Sequence, residues 1–454
     1  MKFMKSLLLG SAAGLAAVAG ASAADLPSRK AAPVEYVRVC SEHGAGFFYI
    51  PGSDTCVKIG GRVRADLDIV QTYDRNQDSV NFTAQGRIDL DVRNNTPYGT
   101  ARAFLRYVMA RSGSNNDYNG GLNPTGSNSE AYLDQAYIQF AGLTAGRTQS
   151  FFDFYANDYN MMTIRGSDTT TNLLAYTATF GHGFSATLGI EDGTQRRVEN
   201  GEALTATDAF GNLYRIDGTS SAGQSMPDIV GNVRIDQDWG AAQLSAALHQ
   251  LRPAHFDRSG SSFGPDYFDK DTEYGFAVQA GVQFNLDMIA PGDQLWVQAA
   301  YAEGAASYLG AGDSLQRAGI AIPVADGFVD PNGRLKKTKG WAVVADFLHY
   351  WTPSVRQNVF ASYLKLTPGN SGYFATDLSA FGLGTVNQGF VDVSELKVGS
   401  NVIWSPIKNF DIGVEVLYTR LDPKGRVLSD NSGVVKSVST EDSWQGRLRL
   451  QRDF

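Results

Sequence analysis

The chain has 454 residues, with 39 Lys+Arg against 47 Asp+Glu, a formal charge of −8 at pH 7. This acidic balance argues against nucleic acid or an anionic lipid surface as the main partner. Beyond the first residues no stretch reaches the roughly 18 consecutive apolar residues of a membrane-spanning helix. Helix-period patterning is scarce, and glycine (49), tyrosine (20) and phenylalanine (25) are abundant.

The N-terminus carries Lys2 and Lys5, an apolar run over 7–20 (LLLGSAAGLAAVAG), and the small residues Ala21, Ser22 and Ala23. That order predicts a secretory signal peptide over residues 1–23, with the mature chain starting at Ala24. The apolar run is too short to span a bilayer as a helix. Cleavage removes both lysines and leaves 431 residues with a charge of −10. A soluble chain of that length suggests about two to four domains, yet no linker or composition break divides it. Residues 24–56 are expected to form a periplasmic N-terminal segment holding Cys40 and Cys56. An even, close pair in an exported chain favours a disulfide, which in the chain-entropy model stabilises by roughly 3 kcal/mol. Only His43 lies nearby, so no metal site is expected.

From residue 57 to the end, sixteen strand-like segments follow: 57–70, 82–93, 98–110, 131–141, 143–150, 172–181, 183–191, 229–238, 240–251, 273–286, 293–303, 341–352, 355–366, 391–404, 409–420 and 442–454. The stretch TEYGFAVQAGVQFNLD (272–287) is typical. Tyr274, Phe276, Val278, Ala280, Val282 and Phe284 alternate with small or uncharged polar residues, the period of a strand with two unlike faces. Short connections (NNTP 94–97, GHG 181–183, WG 239–240, TP 352–353, SPIKN 405–409) alternate with long ones (111–130, 192–228, 252–272, 304–340, 367–390). An antiparallel meander trimmed at one end gives this rhythm, and outer-membrane barrels have short periplasmic turns and long outer loops. Trp239, Trp351 and Trp404 sit at short turns, Phe410 starts a strand and Phe454 ends the chain, as an aromatic girdle at one bilayer boundary would require. The expected fold is all-β, a closed antiparallel transmembrane barrel of sixteen strands with its apolar parity facing lipid. It must close, because an open edge in hydrocarbon leaves backbone groups unpaired.

VEYVRVC (34–40), GFFYIPGSDTC (46–56) and AYIQFAGLTAGRTQSFFDF (136–154) resemble the corresponding segments of the alphaproteobacterial porin family. The strand layout and terminal Phe454 extend the resemblance over essentially the whole mature chain. It implies a homotrimeric outer-membrane channel, without cofactor, for passive diffusion of small hydrophilic solutes and ions. It also implies that Phe454 is an assembly signal and that the segment after the fifth strand, residues 151–170, folds into the barrel as its third long connection. The last strand, WQGRLRLQRDF, has Trp444, Leu448, Leu450 and Phe454 on one parity. Arg452 interrupts that set, and near an interface an Arg can snorkel.

In a pore, charge and width at the narrowest point decide what passes. Parity in KIGGRVRADLDIV (58–70) turns Ile59, Val63, Leu67 and Ile69 outward and Lys58, Arg62, Arg64, Asp66 and Asp68 inward. By the same logic Arg87, Asp89, Asp91 and Arg93 face inward in the second strand, Arg102 and Arg106 in the third, and Arg447 and Arg449 in the last. First and last strands are neighbours in a closed barrel, so Arg62, Arg64, Arg87, Arg102, Arg106, Arg447 and Arg449 are expected to make one basic wall; the other reading is ordinary lumen charges paired with Asp89 or Asp66. Across from it, FFDFYANDYNMMTIRGSDTT (151–170) offers Asp153 and Asp158, with Phe151, Phe152, Phe154, Met161 and Met162 suited to packing on an inner wall. An external loop making a hydrophobic subunit contact is the other reading of this segment. A solute-specific sugar channel would show an aromatic ladder, but only Trp296 points inward by parity. An outer-membrane enzyme would need His with a nucleophile. His249 and His255 lie near the outer rim without such a motif, so no catalytic residue and no enzymatic activity are expected. A surface role of the outer loops, as in an adhesin, stays open beside the channel.

Overall fold

The computed structural model describes residues 38–72, 78–113, 128–198, 200–207, 213–253, 272–317, 320–329, 335–369, 374–377, 385–388, 390–425, 427–431 and 434–454. The expected signal segment and its cleavage site lie outside these residues. Sixteen strands form the wall: β1 (Cys56–Val70), β2 (Val80–Thr96), β3 (Gly99–Ser112), β4 (Asn128–Phe140), β5 (Leu143–Gln149), β6 (Thr170–Gly181), β7 (Phe184–Glu191), β8 (Asp228–Gln237), β9 (Gly240–Leu251), β10 (Glu273–Asn285), β11 (Gln294–Glu303), β12 (Lys339–Thr352), β13 (Val355–Thr367), β14 (Val393–Ile407), β15 (Phe410–Pro423) and β16 (Glu441–Asp453). Each pairs antiparallel with its neighbours in the sequence, and β16 returns to β1 with Arg62 opposite Asp453 and Val70 opposite Gln445. Every strand end falls within three residues of its expected position.

The two faces are inverted relative to a water-soluble sheet. In β1, Val63 is 58% exposed while Asp66 is 8% exposed. In β10, Tyr274, Phe276, Val278 and Phe284 are exposed, while Ala277 and Gln279 are buried. A largely apolar exterior of this kind fits hydrocarbon, with the polar parity turned to the lumen. At one rim the connections are tight, for example residues 182–183 and 353–354. His182 (φ 50) and Gly183 (φ 77) both take the left-handed conformation of a type I′ turn, and a Cβ at 183 would strike the Asp236 carbonyl. Trp239, Trp351, Trp404, Tyr98, Phe180 and Phe454 are exposed at this rim, as a girdle requires.

At the other rim the long connections carry more structure than their Gly, Ser, Asn and Asp content predicts. Asn200–Thr207 pairs with Leu213–Ser220, Gly327–Val329 joins them in parallel, and Val427–Asn431 pairs with Val434–Val438. Phe152, Val198, Tyr308, Leu309, Leu315, Leu364 and Leu421 form one buried apolar cluster, which joins three connections to the wall. At the start of β1, Cys40 and Cys56 form the expected disulfide, with Cα atoms 6.0 Å apart. Both sulfurs pack beside Phe47. Cys56 is itself the first residue of β1 and pairs with Tyr49, so the bridge fastens the preceding segment to the wall.

Candidate functional site

Residues 150–169, between β5 and β6, make their backbone hydrogen bonds mainly to wall side chains. Gln279 donates to the Phe152 carbonyl at 3.0 Å, Gln243 to that of Asp153 at 3.0 Å and Asn232 to that of Phe151 at 2.6 Å. The Tyr155 N–H donates to Gln298 at 2.9 Å, and those of Met161 and Met162 to Glu415 at 2.6 and 2.7 Å. Asn401 donates to the Tyr159 carbonyl, Lys397 to that of Thr163 and Arg447 to that of Met161. Arg165 pairs with Glu395. A segment without regular structure must satisfy its peptide groups somewhere; here residues from β8 to β16 do so, all on the polar parity. Each such bond is worth about 1 kcal/mol net, more where a charge takes part.

The apolar residues complete the attachment. Phe152 packs edge-on to Tyr308, with centroids 4.8 Å apart. Phe154 lies over Gly281, where a Cβ would overlap its ring, and 4.9 Å from Trp296. Trp296 also faces Tyr155 at 5.6 Å, so the one inward tryptophan is covered rather than part of a stacking ladder. The Tyr155 hydroxyl donates to Asp346 at 2.7 Å, and burial pushes its pKa well above the usual phenol range.

Asp153 departs from its expected position on the water path. Its carboxylate is buried against Arg196, 3.0 Å away, and accepts from Ser167, Gln149 and the Thr169 N–H. Arg196 is fully buried and lies 4.3 Å from the Tyr308 ring centroid. Burial alone would weaken its charge, but Asp153, Tyr308 and Glu191 hold its pKa above the usual value. The Tyr308 hydroxyl donates to Asp228 at 2.7 Å. Asp228 also holds His249 at 2.8 Å, and the other ring nitrogen lies 3.5 Å from Asp326. His249 is therefore part of a buried polar network that ties together residues 150–169, 192–198 and 304–326. Nothing in the local sequence marks Arg196, Asp228, Tyr308 or Asp326 for this role, because their partners are far away in the chain.

The expected arginines lie on the polar parity but are largely paired along the wall. Arg62 meets Asp453 at 2.6 Å, Arg449 meets Asp66 at 2.8 Å and Arg447 meets Asp68 at 2.5 Å. Arg87 and Arg106 share Asp89, at 3.0 and 2.8 Å, and Arg102 and Arg93 share Asp91, at 2.9 and 2.7 Å. Arg64 differs: its guanidinium donates to the Gln451 side-chain oxygen at 2.9 and 3.2 Å. It has no carboxylate within 4.0 Å among the described residues.

Arg62, Arg64 and Arg449 line a cavity of about 340 Å³ together with residues 156–163 and Asp168. Arg87, Arg102, Arg106 and Arg447 do not line it. Asp158 and Asp168 are exposed there. Asp168, not among the expected site residues, accepts from Asn157 at 2.9 Å and Gln149 at 3.1 Å. Although both carboxyls open to the cavity, the surrounding chain limits their hydration, and this partial desolvation raises their pKa values above the usual range.

A family model described as the porin subfamily matches residues 25–447. Porin Omp2b of Brucella neotomae is 28% identical over 463 aligned residues, which cover 99% of each chain. Porin Omp2b of Brucella suis biovar 1 (strain 1330) is 29% identical with the same coverage. Among solved structures, the outer membrane channel DcaP of Acinetobacter baumannii has a similar fold. Its TM-score is 0.57 at 17% identity, covering 89% of this chain and 99% of that one.

Proposed function

This chain belongs to the porin subfamily and forms a multi-pass outer-membrane channel for passive diffusion, and on that footing we propose that residues 150–169 fold into the lumen and set its narrowest cross-section. The observation that carries this reading is the set of hydrogen bonds between the segment backbone and the side chains of Gln243, Gln279, Gln298, Asn401 and Glu415. Each of the five has an outward apolar neighbour, as Val402 is for Asn401, so a segment held by them lies on the water side of the wall.

In this reading Arg62, Arg64 and Arg449 face Asp158 and Asp168 across the water path and select among small hydrophilic solutes and ions by charge and width. Arg447 braces the segment. Arg87, Arg102 and Arg106, with their aspartates, line the same wall beyond the narrow point. Asp153 holds the segment in place and does not meet solutes. The arrangement serves passage rather than turnover. Residues 1–23 act as the export signal, residues 24–56 form the periplasmic lead-in, and the barrel follows. The channel assembles as a homotrimer, for which the small outward residues Ala65, Ala84 and Gly86 permit close approach of identical surfaces, whereas Gly61 is covered by the Phe454 ring.

Purified protein in planar bilayers tests the central element. Deleting residues 156–163 should raise single-channel conductance, and an unchanged conductance would place the segment off the ion path. Cross-linking in gentle detergent should give a trimer, and N-terminal sequencing should begin at Ala24.

A further inference from the structure

After the ion pairs form, the cavity beside β1 and β16 keeps charges of both signs without ion-pair partners among the described residues. On the wall, Asp453 offsets Arg62 and Asp66 offsets Arg449. Arg64 has only the Gln451 amide oxygen. Across the cavity, Asp158 accepts one long bond from the Ala156 N–H at 3.4 Å, and Asp168 accepts only from the amides of Asn157 and Gln149. Neither carboxylate has a basic partner within 4.0 Å among the described residues. What remains is a dipole, with one guanidinium on the wall and two carboxylates on the segment.

We infer that this cavity recognises small zwitterions, namely amino acids and short peptides, with the solute carboxylate at Arg64 and its ammonium at Asp158 and Asp168. The inference rests on the reading of residues 150–169 as the constriction. A guanidinium presents a planar fork matched to a carboxylate, and an ammonium donates in three directions to the two aspartates. A simple anion is favoured by Arg64 and opposed by both aspartates, and a simple cation meets the reverse. An uncharged polar solute gains hydrogen bonds at either end but no pairing of opposite charges. Only a molecule carrying both charges meets both partners, so discrimination comes from repulsion as much as attraction. The cavity volume of about 340 Å³ lies within the roughly 300–1,000 Å³ typical of small-molecule sites.

The test uses the full-length channel in planar bilayers and two uncharged-overall probes of similar size, glycylglycine and N-acetylglycinamide. Glycylglycine should perturb the ion current at a concentration about fivefold lower, the worth of one partly screened charge contact. Arg64→Gln, and separately Asp158→Asn with Asp168→Asn, should abolish that difference while each shifts the reversal potential. Equal perturbation by both probes, with reversal potentials that still move, would overturn the zwitterion site and leave the constriction standing. Reversal potentials that stay fixed in both variants would overturn the constriction and the site with it. The comparison of probes on the unmodified protein needs no variant to fold.

Discussion

Arg196 and Asp153 meet at 3.0 Å with the arginine fully buried, joining the connection after β7 to the segment after β5. Removing one member of a buried pair leaves the other charge stranded, at a cost of about 3–5 kcal/mol. Arg196→Met or Asp153→Ala should therefore loosen residues 150–169. The expected result is a larger and noisier single-channel conductance in bilayers. A quiet channel of unchanged conductance in both variants would show that the pair does not hold the segment.

Charge substitutions at the cavity should act with opposite signs. Arg64→Ala should move the preference toward cations, and Asp158→Ala with Asp168→Ala toward anions. Reversal potentials in a low-salt gradient measure both. The shifts should shrink in molar salt, where the Debye length falls to about 3 Å. Asp168→Ala with no shift would remove it from the ion path.

Acidification should shift selectivity before ordinary carboxylates titrate. Partial desolvation by the surrounding chain raises the pKa values of Asp158 and Asp168, so they lose their negative charge at a higher pH than a fully hydrated Asp. Arg62, Arg64, Arg356 and Arg449 line the same cavity. Asp66, Asp411 and Asp453 are held by arginines. Falling pH thus makes the lumen more positive, and the channel should become more anion-selective. Asp158→Asn with Asp168→Asn should remove most of this early shift. An unchanged pH profile in that variant would assign the titration elsewhere.

Barrel closure depends on a contact at the chain end. The Phe454 N–H donates to the Gly61 carbonyl and the Gly61 N–H to the Phe454 carbonyl, both at 3.0 Å. A Cβ at position 61 would sit 2.5 Å from the Arg87 carbonyl and 2.5 Å from the Phe454 ring. Gly61→Val should lower the yield of folded, heat-modifiable barrel on gels. Phe454→Ala keeps the main-chain bonds and should chiefly slow assembly in cells.

Loss of the Cys40–Cys56 bridge should act on stability and not on conduction. Cys40→Ser with Cys56→Ser should cost roughly 3 kcal/mol in the chain-entropy model, seen as a lower thermal transition in detergent. Both residues lie away from the cavity lining, so single-channel conductance should match that of the parent.

The periodicity of single strands determined the architecture. Tyr274 to Phe284 alternate in two faces, and short and long connections alternate along the chain. These are local properties, because backbone pleat and turn length act on adjacent residues. The same parity turned Arg62, Arg64 and Arg449 inward. It could not say which of them would keep a free charge. Asp66 and Arg449 lie 383 residues apart and meet only because β16 pairs with β1 in one register. A slip by one residue would exchange every inward side chain for an outward one. Asp153 and Asp158 look alike in sequence, five positions apart on one segment. Packing by Arg196, whose position depends on another connection, buries the first and leaves the second open. Coulomb interaction follows distance in space, and desolvation follows the neighbours that folding brings, so the charge pattern of the lumen emerges only in the closed barrel.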